Sequence, residues 1–189
     1  MKTYFYGGLS PQEILNIMRV QKHDQLNYLQ VILGYLQLGK TKKALEYTRS
    51  AINSIQENGL IMKVHTSNMA LMMMNILQEA QQIGVESKLL VSTMLSEIKQ
   101  EEELCHLIDI LWNALKAQLL RHPYDERYLL IDLSETGQEY LLVFKFPFDN
   151  SSVFEEEKRR INEIASFNEI AFDFQKNPSG GIIRLSVSI

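Results

Sequence analysis

Cysteine is almost missing from this chain. Cys105 is the single one in 189 residues, so no intramolecular disulfide can form, and the composition suits a reducing, cytoplasmic setting. Long apolar runs are missing too. The longest candidate, Met69 to Leu77, is broken by Asn75 and falls well short of the roughly 20 residues that span a bilayer. Lys2 is followed by Thr-Tyr-Phe-Tyr-Gly-Gly, too short and polar for a signal peptide. No Gly-x-Gly-x-x-Gly and no Gly-x-Ser-x-Gly elbow occurs. Nor are there paired Cys or His residues at metal-ligand spacing. Dinucleotide, serine-hydrolase and zinc-site readings therefore lack a foothold.

What is present is the mix of an ordinary globular protein, 46% hydrophobic and 22% charged, with a net charge of −4. Length allows one large domain or two small ones. The mean charge hides an asymmetry. Residues 1–64 carry eight basic and four acidic side chains, whereas residues 65–189 carry 11 basic and 19 acidic ones. This pattern predicts two modules with different partners. The dense basic stripe that a nucleic acid would require is not there.

Ser10-Pro11-Gln12-Glu13 reads as a helix start, with Ser10 as cap, Pro11 at the first helical position and Glu13 completing a capping box. Helical spacing continues to Leu38, predicting a helix of about 28 residues and about 42 Å. Leu26, Leu29, Leu33 and Leu36 step by 3, 4 and 3, the spacing of a helix–helix seam. Gly39-Lys40-Thr41 forms the turn. A second helix is expected from about Lys42 to Asn58, with Ala44, Leu45, Thr48, Ala51, Ile52 and Ile55 facing inward, ended by Asn58-Gly59. A lone hairpin leaves apolar surface in water, so pairing of two chains into a four-helix bundle is the expected remedy.

After a linker near Gly59 to His65 the pattern changes. It predicts a Met-rich helix over Asn68–Ile83, a strand around Lys88–Met94 and a helix over Glu101–Leu120. Strands over Tyr128–Leu133 and Glu139–Phe148 follow, with a hairpin turn at Ser134–Gly137. A charged helix over Phe154–Phe167 and strands over Glu169–Gln175 and Ile182–Ile189 complete the chain. The fold class is α+β, with domain 1–62 a helical hairpin and domain 63–189 an α/β sandwich carrying helices on one face of a mixed sheet. The cluster Met69, Met72, Met73 and Met74 reads as core filler. Cys105-His106 reads as a buried pair without function, because adjacent helical side chains diverge.

His23 stands apart. Steps of 4, 3, 4 and 3 from it reach Asn27, Gln30, Gly34 and Gln37, a polar stripe beside the leucine seam. Lys and Glu, the usual occupants of a solvated face, are sparse on it. Gly34 costs about 1 kcal/mol in a helix interior relative to Ala, which predicts that another backbone approaches there.

The segment His23-Asp24-Gln25-Leu26-Asn27-Tyr28-Leu29-Gln30 resembles the His-Asp-x-x-Asn-x-Leu-Gln phosphoacceptor motif of the sporulation initiation phosphotransferase B family, shared by citrate- and malate-type sensor kinases. The resemblance extends in order over nearly the whole chain, more weakly after residue 60. It implies a dimeric four-helix bundle and a C-terminal domain like a histidine-kinase ATPase domain. There, Asp109-Ile-Leu-Trp-Asn113-Ala-Leu-Lys-Ala117 looks like the kinase N-box, with Asp109 replacing its first asparagine and Asn113 surviving as the residual cofactor-side position. The place of the kinase Asp-x-Gly-x-Gly reads Asp149-Asn150-Ser151-Ser152-Val153, without either glycine. The glycine-rich lid is replaced by the charged helix.

The resemblance thus implies a phosphorelay phosphotransferase in sporulation signalling, without ATP-dependent autokinase activity. A phosphoryl group passes from one response-regulator receiver aspartate to His23 and on to another. Asp24 and Asn27 are expected at the reacting centre, and Arg19, Gln30, Gly34 and Gln37 on the docking surface. No cofactor of the chain's own is expected. The receiver supplies Mg²⁺, and the +4 hairpin suits its acidic pocket. A kinase with its sensor and spans would exceed 189 residues. Partners are receivers and a second copy, not nucleic acid or membrane. The alternatives are a dimeric scaffold that binds a receiver or kinase without transfer, and a soluble histidine kinase with a reduced ATP site.

Overall fold

The computed structural model describes residues 11–64, 66–92, 98–149, 152–178 and 180–189. Ser10, His65 and Asn150-Ser151, all named above, lie outside them, as does the Thr93-Met94 end of the expected first strand. Helices α1 (Pro11–Gln37) and α2 (Thr41–Gly59) form an antiparallel hairpin. Gly39 turns the corner at φ 66, a left-handed conformation that glycine adopts without steric cost. Lys40 N–H donates to the Tyr35 carbonyl at 2.9 Å, closing the end of α1. The two helices hold together through Tyr47, whose ring sits 6.4 Å from that of Tyr28 and 6.2 Å from that of Tyr35. Ala44 and Ala51 are buried against α1, whereas Leu45, Ile52 and Ile55 are about half exposed. Of the residues expected to face inward, only the small ones lie inside the single chain, since its two helices meet along one narrow line.

A short 3₁₀ turn, Leu60–Lys63, leads into α3 (Ser67–Gln82), β1 (Glu86–Val91), α4 (Glu101–Leu119), β2 (Tyr128–Thr136) and β3 (Glu139–Phe146). Then come α5 (Ser152–Phe167), β4 (Ala171–Asn177) and β5 (Gly180–Ser188). The sheet order is β1-β2-β3-β5-β4, with β1 parallel to β2 and every other pair antiparallel. The α4 crossover between β1 and β2 imposes the parallel pair. Alternate residues such as Leu129, Ile131, Leu142, Phe144, Ile183 and Leu185 are fully buried, facing the layer of α3, α4 and α5. Their neighbours on β2 and β5 are only half-buried. Helices therefore cover one face of a mixed sheet, and the α+β class holds.

The β2–β3 strands run further into their hairpin than expected. Glu135 pairs with Tyr140 and Thr136 with Glu139, so only Gly137 and Gln138 turn. Gly180 has φ +138, and a Cβ placed there would collide with the Phe146 carbonyl oxygen, which restricts this strand start to glycine. Met69, Met72 and Met73 are buried core residues. Cys105 is buried and its thiol is pushed up to about 12 by burial first and by Glu101 and Glu102 second. His106, by contrast, is exposed, because it falls on the outer side of α4. The expected buried pair is thus one buried cysteine and one solvated histidine.

Candidate functional site

At about 100° per residue, α1 has three faces. Tyr28 and Tyr35 mark the face toward α2. The leucine seam lies about 130° round from it, and the His23 stripe about 100° further on. Within the single chain, Leu26, Leu29, Leu33 and Leu36 are 48%, 63%, 54% and 50% exposed. Leu15 and Met18 extend this seam toward the N-terminus and are also exposed.

His23 projects from the middle of α1 with its side chain 76% exposed. Its Nδ1 lies 3.4 Å from Asp24 Oδ1, the one polar partner of the imidazole among the described residues. A carboxylate there favours the tautomer that carries hydrogen on Nδ1, which leaves the Nε2 lone pair directed at solvent. Asp24 is half-buried, being turned toward the cleft between α1 and the α/β layer. Arg19, Asn27, Gln30 and Gln37 are exposed and Gly34 half-buried on the same stripe as His23. From Arg19 to Gln37 it runs about 27 Å along the helix. Arg19, His23, Asn27, Gln30, Gly34 and Gln37 therefore share one face, with Asp24 beside it toward the cleft, but one expectation fails. Among the described residues, and leaving aside its own helix's backbone, no atom lies within 4 Å of a Cβ built on Gly34, because the stripe points away from α2, so no other described backbone approaches it.

A second groove, of about 300 Å³, runs between α4 and α5 and is lined by Asn113, Gln118, Arg121, Glu157 and Arg160. Asn113 uses its amide to donate to the Asp109 carbonyl at 2.9 Å, folding back on its own helix. Gln118, 2% exposed, donates to the Asp149 carboxylate at 2.5 Å. Asp149, which opens the segment that resembles the kinase Asp-x-Gly-x-Gly, is itself exposed and is held by this contact. Phe154 of α5 is buried against Phe146, Phe148 and Phe174, so α5 is anchored on the sheet at its N-terminal end.

Sequence reasoning missed Glu79. Its Oε2 accepts from Trp112 Nε1 at 2.8 Å and from Lys116 Nζ at 2.7 Å, and its Oε1 accepts from Asn75 at 3.1 Å. Burial by itself raises the carboxyl, but the donors Lys116, Trp112 and Asn75, with the Lys116 charge, outweigh it and hold Glu79 below the usual value of 4.5. This cluster ties α3 to α4 on the helix that carries the N-box-like residues. Among the described residues no group of three or more His, Cys, Asp or Glu side chains is arranged to hold a metal ion. No helix among them is long and apolar enough to cross a membrane.

Comparison with known proteins bears out the resemblance. Residues 10–64 match the alpha-helical domain of the SpoOB-type sensor kinase family. Sensor protein CitS of Halalkalibacterium halodurans is 27% identical over 132 residues, 66% of this chain and 24% of that protein. A probable C4-dicarboxylate sensor kinase of the same organism is 31% identical over 77 residues, 40% of this chain and 14% of that protein. The chain therefore spans about a quarter or less of these relatives. Among solved structures, histidine kinase ThkA in complex with response regulator protein TrrA aligns with a TM-score of 0.48 and 10% identity, over 92% of this chain and 61% of that one.

Proposed function

We propose, with the match of residues 10–64 to the helical domain of SpoOB-type sensor kinases as premise, that the chain is a phosphorelay phosphotransferase. It carries a phosphoryl group from one receiver aspartate to another through His23. The observation that carries this reading is the solvated imidazole whose Nδ1 is backed by Asp24. In the first step the Nε2 lone pair attacks phosphorus in line. The N–P bond forms as the P–O bond to the donor aspartate breaks, and that carboxylate departs with the electron pair. Hydrogen stays on Nδ1, where Asp24 offsets the positive charge that the ring acquires. The second receiver's carboxylate reverses these changes. Such transfer asks mainly for alignment and charge neutralisation. Mg²⁺ and a lysine come from the receiver. Asn27 and Arg19, one turn to either side of His23, contact the phosphoryl oxygens and the incoming domain, while Gln30, Gly34 and Gln37 complete the docking face.

Two copies are proposed to pair through the leucine seam into a four-helix bundle, leaving each His23 stripe outward. Sporulation signalling is the setting that the family resemblance favours. A second reading, a histidine kinase with a reduced ATP site, is favoured by the α4–α5 groove with Asn113, Arg121 and Arg160. Against it stand the amide of Asn113, occupied by the Asp109 carbonyl of its own helix, and the bond that Asp149 accepts from Gln118.

Incubation with a ³²P-phosphorylated receiver, and separately with Mg·ATP, tests both. Label on the parent from the receiver, absent in His23→Ala, is expected. Label from ATP alone makes the chain a kinase. No label from either source refutes both and leaves a binding scaffold.

A further inference from the structure

A cleft of about 340 Å³ lies between the N-terminal half of α1 and the α/β layer. One wall carries Gln21 and Asp24; the other carries Gln78 and Gln81 of α3 with Ser87 and Lys88 of β1. Its floor is aliphatic, built from Ile17, Val20, Leu77, Val85 and Leu89. The carboxylate of Asp24 and the ammonium of Lys88 thus line one cavity, yet they do not pair. Asp24 is joined to His23, and Lys88 has no ion-pair or hydrogen-bond partner among the described residues. Gln78 adds a second demand, since its Oε1 is buried and meets no donor. A buried acceptor left this way calls for one.

We propose that the cleft binds a free α-amino acid with an aliphatic side chain. Its carboxylate meets Lys88, its ammonium is shared by Asp24 and the Gln78 oxygen, and its side chain lies on Ile17, Val20 and Leu89. The charge pattern selects this class. A simple anion would face Asp24, a simple cation would face Lys88, and a neutral molecule would leave both charges unmatched. The volume falls in the range of small-molecule pockets. Because Asp24 also holds the His23 imidazole, an ammonium on Asp24 competes for the same carboxylate, and binding is felt at His23 whether or not the chain transfers phosphate.

The probe is L-leucine, titrated into the full chain by calorimetry and by ¹H–¹⁵N NMR of the imidazoles. Saturable binding with a Kd of about 1 mM or tighter is expected, with movement of the His23 ring resonances. Lys88→Gln is expected to weaken it about tenfold or more, and Lys88→Arg to restore most of it, since loss of a charge partner costs at least that much. Lys88 is exposed, so these variants fold. 4-Methylpentanoate, without the ammonium, and 3-methylbutylamine, without the carboxylate, should each bind about tenfold more weakly or worse. Absence of saturable leucine binding overturns the proposal, as does binding indifferent to Lys88→Gln or equal for leucine and either half-analogue.

Discussion

The proposed dimer makes a quantitative claim about Leu33. This residue is 54% exposed in the single chain, so about half of its burial remains to be gained at the seam. Full burial of a leucine side chain is worth roughly 1.5–3 kcal/mol, which leaves about 1 kcal/mol for each copy. In a twofold interface both copies lose it together, so Leu33→Ala costs the dimer about 2 kcal/mol, or a roughly thirtyfold weaker dissociation constant. Differences of this kind are safer than absolute sums of buried area. Sedimentation equilibrium over a concentration series measures the constant directly. Leu120→Ala is the control: Leu120 is 51% exposed, but it lies at the end of α4, off the hairpin, and should leave the constant unchanged. A parent mass of 21.9 kDa at every concentration would refute the seam argument. So would equal effects of the two variants, which would make α1 leucines no different from any exposed apolar residue.

Glu79 sets a pH dependence. Its folded pKa is depressed below the usual carboxyl value of 4.5, so its contribution is fully present above that value and is lost as pH falls through the folded pKa. Glu79→Gln should cost about 1–3 kcal/mol near neutral pH by leaving Trp112 and Lys116 poorly matched. It should also flatten the loss of stability in acid, read from urea midpoints at about pH 7 and pH 4. A parallel shift at both pH values would contradict the assignment. Gly34→Ala meets open space, so it should stabilise α1 by about 1 kcal/mol, seen as a raised Tm, while a Cβ on the docking face slows transfer from the receiver. An unchanged transfer rate would remove Gly34 from that surface.

Much of this architecture was legible because hydrophobic periodicity reports which side of an element is covered. The hairpin, the order of α3 to β5 and the His23 stripe follow from local spacing alone. Glu79 was not legible: its partners Trp112 and Lys116 lie 33 and 37 residues away, and no local pattern encodes a contact made by two helices packing side by side. Gln118 and Asp149 are separated by 31 residues and were hidden for the same reason. Ser134, Glu135 and Thr136 have turn-like identities but sit in strands, since Gly137 alone supplies the positive φ that the hairpin needs. Leu45, Ile52 and Ile55 show the limit of periodicity from the other side. It marks an apolar face without saying whether the chain itself covers that face. Gly34 misled because the cost of a glycine says nothing about what comes near it.

The join between the two parts has a mechanical consequence. Ile61 and Val64 both belong to the core of the α/β layer, and the turn that carries Ile61 packs on β1 and α3. The chain leaves α2 and enters the core within a few residues, so the hairpin is coupled to the sheet as a crank to its shaft. A twist of one bundle helix against another cannot be absorbed at a swivel. It must either rotate the sheet with it or strain the anchor at Ile61, which makes the C-terminal layer a load on every movement of the histidine-bearing helix.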